Sequence, residues 1–292
     1  MGQQVVNGLF LGSIYALFAL GYTLVFGVLD ILNLAHAAVF MLASFVALTL
    51  VGRFHLHILL AMPLAVLFAG FLGLVLERVA FRPLRARADS NISGLISSLA
   101  MATVFEAVAL EVWGPNISRF PFGTVPETQL DLLGAVVSRL QLTIVAVAVL
   151  LFLVLTWLVK ATRLGREVRA VAESPRAARI LGVDVNRAIA AAFFISSALG
   201  GAAGVLFGLA FNSISPDMGR SVELKGLAVI ILGGMGSMPG AVLAGFALGL
   251  TEVFVTAYLG ASWRDAVSFT GLFLILVLRP RGLFGAAALR EA

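Results

Sequence analysis

The chain has 292 residues, 61% of them hydrophobic and 12% charged, with a formal charge of +5 and no cysteine. A mean hydropathy of +1.06 excludes an ordinary soluble domain and is that of a polytopic membrane protein. The missing cysteine excludes a disulfide framework, a thiol nucleophile and a cysteine metal site. In a soluble chain a pI near 10.4 would point to nucleic acid. Here the cations sit between apolar runs, which assigns them to the membrane surface and leaves no nucleic-acid partner.

Apolar runs fall near 5–28, 32–52, 57–77, 92–112, 140–160, 189–211, 224–234, 238–259 and 266–279. About 20 residues cross the hydrocarbon of a bilayer. The expected fold is therefore an all-α polytopic transmembrane bundle of about eight or nine segments, a single integral-membrane domain over 1–292. No basic region precedes the first run, so it reads as a retained span and not a cleaved leader. The run at 224–234 is too short to cross unaided and reads as a half-helix or a segment buried in protein.

Asp30, Asn33 and His36 stand at the start of the second run. They either cap a helix or line a path, since intramembrane polar groups are costly without a role. His36 has no His or Cys companion, which argues against a metal. Arg78, Arg82, Arg85 and Arg87 follow the third run. The segment 113–139 holds three prolines, with Trp113 and Phe122 suited to a membrane interface. It is either a contact for an external partner or an ordered cap over helix ends. Among the carboxylates near spans, Glu111 and Glu252 lie toward helix ends and Glu106 is the one expected to be deep, thin support for a proton-coupled carrier.

Seven cations, Lys160, Arg163, Arg166, Arg169, Arg176, Arg179 and Arg187, crowd the segment 160–188. Within it Ser174 reads as an N-cap, Pro175 as the first helical residue and Gly182 as the stop, giving a short helix over 175–181 outside the apolar core. A capped, charged helix of this kind is a device for touching another protein.

The stretch Gly233-Gly234-Met235-Gly236-Ser237-Met238-Pro239-Gly240 lacks the Gly-Lys-Ser/Thr ending of a phosphate loop. Its glycines suit close backbone approach and an irregular turn buried in protein; Gly233, Gly234 and Gly236 join Asn33 and His36 as candidate path residues. The polar breaks at 33–39 and 233–241 echo each other and suggest two weak parallel repeats. The Gly200/Gly204 and Gly245/Gly249 pairs read as helix-packing seams. No catalytic triad, carboxylate pair or metal cluster can be assembled, so the chain is not read as an enzyme. Placing the three basic segments (after the third run, 160–188 and the tail with Arg279, Arg281 and Arg290) inside puts 14 of the 20 Lys and Arg on the cytoplasmic side, with the N-terminus outside and the C-terminus inside.

Taken together, LNLAHAAVFMLASF (32–45), ERVAFRPLRAR (77–87), RAVAESPRAARILGVDVNRAIAAAFFISSALGGAAGVLFG (169–208), VIILGGMGSMPGAVLAG (229–245) and LRPRGLFG (278–285) resemble the permease subunits of bacterial ABC importers for branched-chain amino acids, the LivH type. The resemblance covers essentially the whole chain. It implies that the loop 172–183 docks on an ATPase, through Ala172, Glu173, Ser174, Pro175, Arg176, Ala178, Arg179, Leu181 and Gly182. It also implies a second related permease, two cytoplasmic ATPases that carry the ATP and Mg, and a periplasmic solute-binding protein, in the bacterial inner membrane, with no cofactor on this chain. The early motif of the family usually continues His-Gly and often an acidic residue, whereas this chain has His36-Ala37-Ala38, so no role of that Gly or acid carries over. The implied cargo is a branched-chain or other hydrophobic amino acid; relatives of this type also move urea, amides or aromatic compounds. From other classes stand an ion-coupled secondary carrier and a structural membrane scaffold.

Overall fold

The computed structural model describes residues 1–85, 90–124, 128–132, 135–279 and 282–284; Arg87, Arg281 and Arg290 lie outside the described residues. The elements are α1 (Gly2–Leu29), α2 (His36–Gly52), α3 (Ile58–Leu76) with a π-turn at Glu77–Phe81, α4 (Ser90–Trp113), the hairpin β1 (Gln129–Leu132) and β2 (Ala135–Ser138), α5 (Arg139–Ala161), α6 (Arg163–Glu173), α7 (Pro175–Ile180), α8 (Val185–Phe211), α9 (Met218–Gly233), α10 (Met238–Tyr258) and, after the 3₁₀ turn Ala261–Trp263, α11 (Arg264–Leu278). Every expected apolar run is a helix. Among the described residues seven helical segments are long and apolar enough to cross a membrane, α1, α3, α4, α5, α8, α10 and α11, while α2 and α9 are shorter.

Helices α1 and α8 form the buried centre, and α3, α4, α5 and α11 leave most of their apolar surface exposed. That inversion is what a bilayer selects, because lipid tails are as apolar as the side chains they meet. With no hydrophobic drive between helices, close packing of small residues holds them together. A Cβ on Gly249 of α10 would lie within 2.4 Å of the Gly12 nitrogen of α1, so the expected seam along Gly245 and Gly249 brings these two backbones together.

The two ends of the bundle differ. At one end the first turn of α1 holds the hairpin: Gln3 Nε2 donates to the Val136 carbonyl (3.0 Å) and Gln3 Oε1 accepts from the Val136 N–H (2.9 Å). Strand pairing over 129–138 was not expected from the sequence. Trp113, at the end of α4, is half-buried, stacked on Phe45 with Nε1 donating to Thr49 Oγ1 at 2.8 Å. At the other end, the last turn of α1 meets α6, α7 and the turn after α9.

The interrupted helices lie between. His36, the first residue of α2, packs against Phe18 and Tyr22 in the body of α1, so the 30–35 break turns back into the bundle. Asp30 does not cap α2; it closes α1 in the left-handed region (φ 54°). The irregular backbone is satisfied by side chains, as it must be where water is absent. Leu34 N–H donates to Ser98 Oγ (3.1 Å) and Ala35 N–H to Asn33 Oδ1 (3.2 Å). Helix α9 also starts inside, with Gly219 against the Ala37 carbonyl, and runs the opposite way to α2. The 233–241 break lies at the α7 end, where Gly236 and Ser237 border the same cavity as Asp30, the residue at which the first break begins.

Candidate functional site

At the α7 end three caps build an angular device. Thr162 accepts from Gly165 N–H and starts α6; Ser174 Oγ accepts from Ala177 N–H (3.2 Å) and starts α7; Asp184 accepts from Arg187 N–H (3.1 Å) and starts α8. Pro175 takes the first helical position, and Gly182 turns the chain at φ +82°, as its place in the sequence requires. The helix ends at Ile180, one residue earlier than expected, with Leu181 as its cap. Helix α6 was not anticipated. Its signal was the spacing of Leu164, Val168 and Val171 between arginines, an amphipathic period of three to four; Val168 and Val171 are buried. Of the loop's candidate contact residues, Ala172, Glu173, Pro175, Arg176, Arg179, Leu181 and Gly182 are exposed, whereas Ala178 faces the protein at 1% exposure. Ile180, not singled out from the sequence, is 86% exposed beside Leu181 at 79%.

A neighbouring pair anchors this end. The Arg85 guanidinium pairs with the buried Glu77 carboxylate and donates to Asn186 Oδ1 (3.3 Å) at the start of α8; burial lowers Arg85 to about 10. Between the last turn of α1, the α6–α7 corner and the turn at 235–237 is a cavity of about 730 Å³, bordered by Ala172, Pro175 and Gly236. Gly233 and Gly234 are buried, and a Cβ on Gly240 would sit 2.0 Å from the Gly233 carbonyl. The close approach and the irregular turn expected of this glycine run are both present, with Gly234 and Gly236 at positive φ.

Asn33 and His36 are packed in the interior, 2% and 0% exposed, and border none of the described cavities. His36 Nε2 lies 3.3 Å from the Phe18 carbonyl, and its ring fills the space left by Gly21 of α1 and Gly200 of α8.

A second site was missed. Glu252 of α10, expected near the end of its span and of little note, is fully buried and draws together three helices. Its Oε1 lies 2.8 Å from Lys225 Nζ of α9, and its Oε2 accepts from Arg264 Nε of α11 (2.7 Å) and Tyr15 OH of α1 (2.9 Å). Lys225 also reaches Asp265 Oδ1 at 3.3 Å. Glu106, expected to be the deep carboxylate, is only partly buried and pairs with the exposed Arg220 at 2.7 Å. The sequence did contain a hint: Lys225 interrupts an apolar run that could not otherwise tolerate it. The cluster opens on a cavity of about 690 Å³.

A family model described as a branched-chain amino acid transport system permease component matches residues 4–278. The chain belongs to that family. This permease is 38% identical to the high-affinity branched-chain amino acid transport system permease protein BraD of Pseudomonas aeruginosa, over 97% of the chain and 95% of the relative. It is 34% identical to LivH of Escherichia coli K12, with the same two coverages, and 25% identical to a probable LivH of Methanocaldococcus jannaschii over 98% of the chain and 93% of the relative. The apolar helices and the family together make it a multi-pass membrane permease, one component of a larger transport system. Its matched region takes in both the α7 corner and the Glu252 cluster.

Proposed function

We propose that this permease is one membrane-spanning half of an ATP-driven importer that carries branched-chain or other hydrophobic amino acids into the cytoplasm across the bacterial inner membrane. The observation that carries the reading is near-full-length identity to relatives named as high-affinity branched-chain amino acid permeases. The partners are a second related permease, two cytoplasmic ATPases that hold ATP and Mg, and a periplasmic binding protein. The N-terminus and hairpin face outward and the α7 end faces the cytoplasm, in keeping with the basic residues gathered there. The chain acts as one domain with no cofactor or catalytic chemistry of its own.

In this reading the segment 160–188 is the coupling loop. Ile180, Leu181, Arg176 and Arg179 meet the ATPase, and the buried Ala178 fixes α7 to the permease. Since α6 packs on α1, α5 and α8, a push on α7 reaches the centre of the bundle through one short lever. ATP shifts the equilibrium only through its different affinity for the two states. The turn carrying Gly233, Gly234 and Gly236 lies across a cavity from that lever, and Asn33 and His36, packed away from the described cavities, hold α1, α2 and α8 together behind it.

The test is affinity purification of the tagged chain from cells expressing the full set of components, followed by reconstitution and uptake of labelled leucine. Copurification of two ATPases and a second permease, with uptake that requires ATP, is the expected result. A chain that purifies alone and moves leucine on a proton gradient would sink the reading.

A further inference from the structure

Lys225 and Arg264 line the inner wall of the 690 Å³ cavity, Asp265 and Asp217 stand exposed around it, and Phe211 and Phe269 complete it. Glu252 is spent on both cations at once, through Oε1 on Lys225 and Oε2 on Arg264. One carboxylate cannot neutralise two cations, so a positive charge is left over. Asp265 answers it only loosely: its side chain is 66% exposed, and its one ion pair among the described residues, to Lys225, is 3.3 Å long. An exposed carboxylate on a buried cation is exchangeable, because water or a solute carboxylate replaces it at little cost. By contrast, Glu252 is fixed by burial and by its third partner, Tyr15.

We propose that this cavity is a transit subsite for a zwitterionic α-amino acid, with Lys225 and Arg264 receiving the solute carboxylate, Asp265 and Asp217 receiving its ammonium group, and the phenylalanines receiving an apolar side chain. The inference rests on the importer reading above and adds to it the residues that recognise the cargo. Both solute charges lie on one carbon, so the carboxylate displaces Asp265 from Lys225 just as the ammonium group becomes available to Asp265. The net charge of the site is unchanged throughout. An anion would meet two free carboxylates, a cation would meet Lys225 and Arg264, and an uncharged amide would leave desolvated charges unpaired. The mixed cluster therefore favours amino acids over urea or amides. Exposed pairing partners suit a site that must also release its cargo.

The test uses the complete complex with its binding protein in proteoliposomes. Asp265→Asn, a change at an exposed position, is expected to slow ATP-dependent uptake of labelled leucine at least about tenfold, and Asp265→Glu to restore most of it. A second readout separates recognition from structure. With Ser221→Cys in a cysteine-free complex, a water-soluble methanethiosulfonate should label the cavity, and leucine loaded on its binding protein should slow that labelling. Adding Asp265→Asn should abolish the protection. Leucine uptake unaffected by Asp265→Asn, with labelling that leucine never slows, would overturn the subsite and leave the importer reading intact. A parent complex that moves no amino acid would overturn both.

Discussion

Lys225 of α9 and Glu252 of α10 face each other at 2.8 Å in the interior of the bundle, 11% and 0% exposed at their side chains. Taking two charges out of water is costly, and their attraction offsets that cost only when the remaining hydrogen-bonding capacity is filled. Here Tyr15 and Arg264 hydrogen-bond to Oε2, while the buried Oε1 is answered by the Lys225 ion pair without a hydrogen bond. The result ties α1, α9, α10 and α11 together at one point.

Glu252→Ala should therefore destabilise the permease by about 3–5 kcal/mol, because it leaves Lys225 and Arg264 without their shared counter-charge. Asp265→Ala removes a mostly exposed partner and should cost about 1 kcal/mol or less. Thermal unfolding in detergent, followed by gel filtration, reads both. Equal losses would contradict the division between a fixed and an exchangeable carboxylate.

At the proposed coupling corner, Leu181→Asp and Ile180→Asp change exposed side chains and should leave the chain folded while ATPase copurification and leucine uptake fall together. Ala178→Asp places a charge at a buried position and should also lower the amount of folded permease. Ser174→Ala removes the cap of α7 at about 1 kcal/mol and should weaken coupling without loss of insertion. Normal uptake in the Leu181 and Ile180 variants would remove α7 from the contact.

The packing of His36 predicts a coupled pair. A methyl on Gly200 would come within 2.6 Å of the His36 ring, so Gly200→Ala should cost about 1–3 kcal/mol through overpacking. In a His36→Ala background the same change should cost much less, since the ring is no longer there to be displaced. Additive losses on melting curves would show that the two residues do not share that space.

Orientation can be read by labelling, because the chain has no native cysteine. Phe122→Cys, at a fully exposed loop position, should react with a membrane-impermeant maleimide in intact cells. Arg187→Cys, at the start of α8, should react only after the inner membrane is opened. The reverse pattern would invert the bundle.

What the sequence determined by itself was whatever depends on neighbours along the chain. The apolar runs set the helices because a backbone in lipid must satisfy its own hydrogen bonds. Ser174, Pro175 and Gly182 marked α7 because caps and turns are local chemistry. The glycines at 233–240 announced a close approach before its partner was known, and the motifs from 32 to 285 carried the family. Tertiary structure alone decided which charges are buried and with whom. The sequence put Glu106 deep and Glu252 near a helix end, yet Glu106 reaches an exposed arginine and Glu252 a lysine and an arginine from two further helices. His36 read equally well as a cap or a path residue, and nothing along the chain announced that Gly21 and Gly200, on two different helices, close around its ring. Such outcomes depend on which helix faces meet, and no spacing within a single segment encodes them.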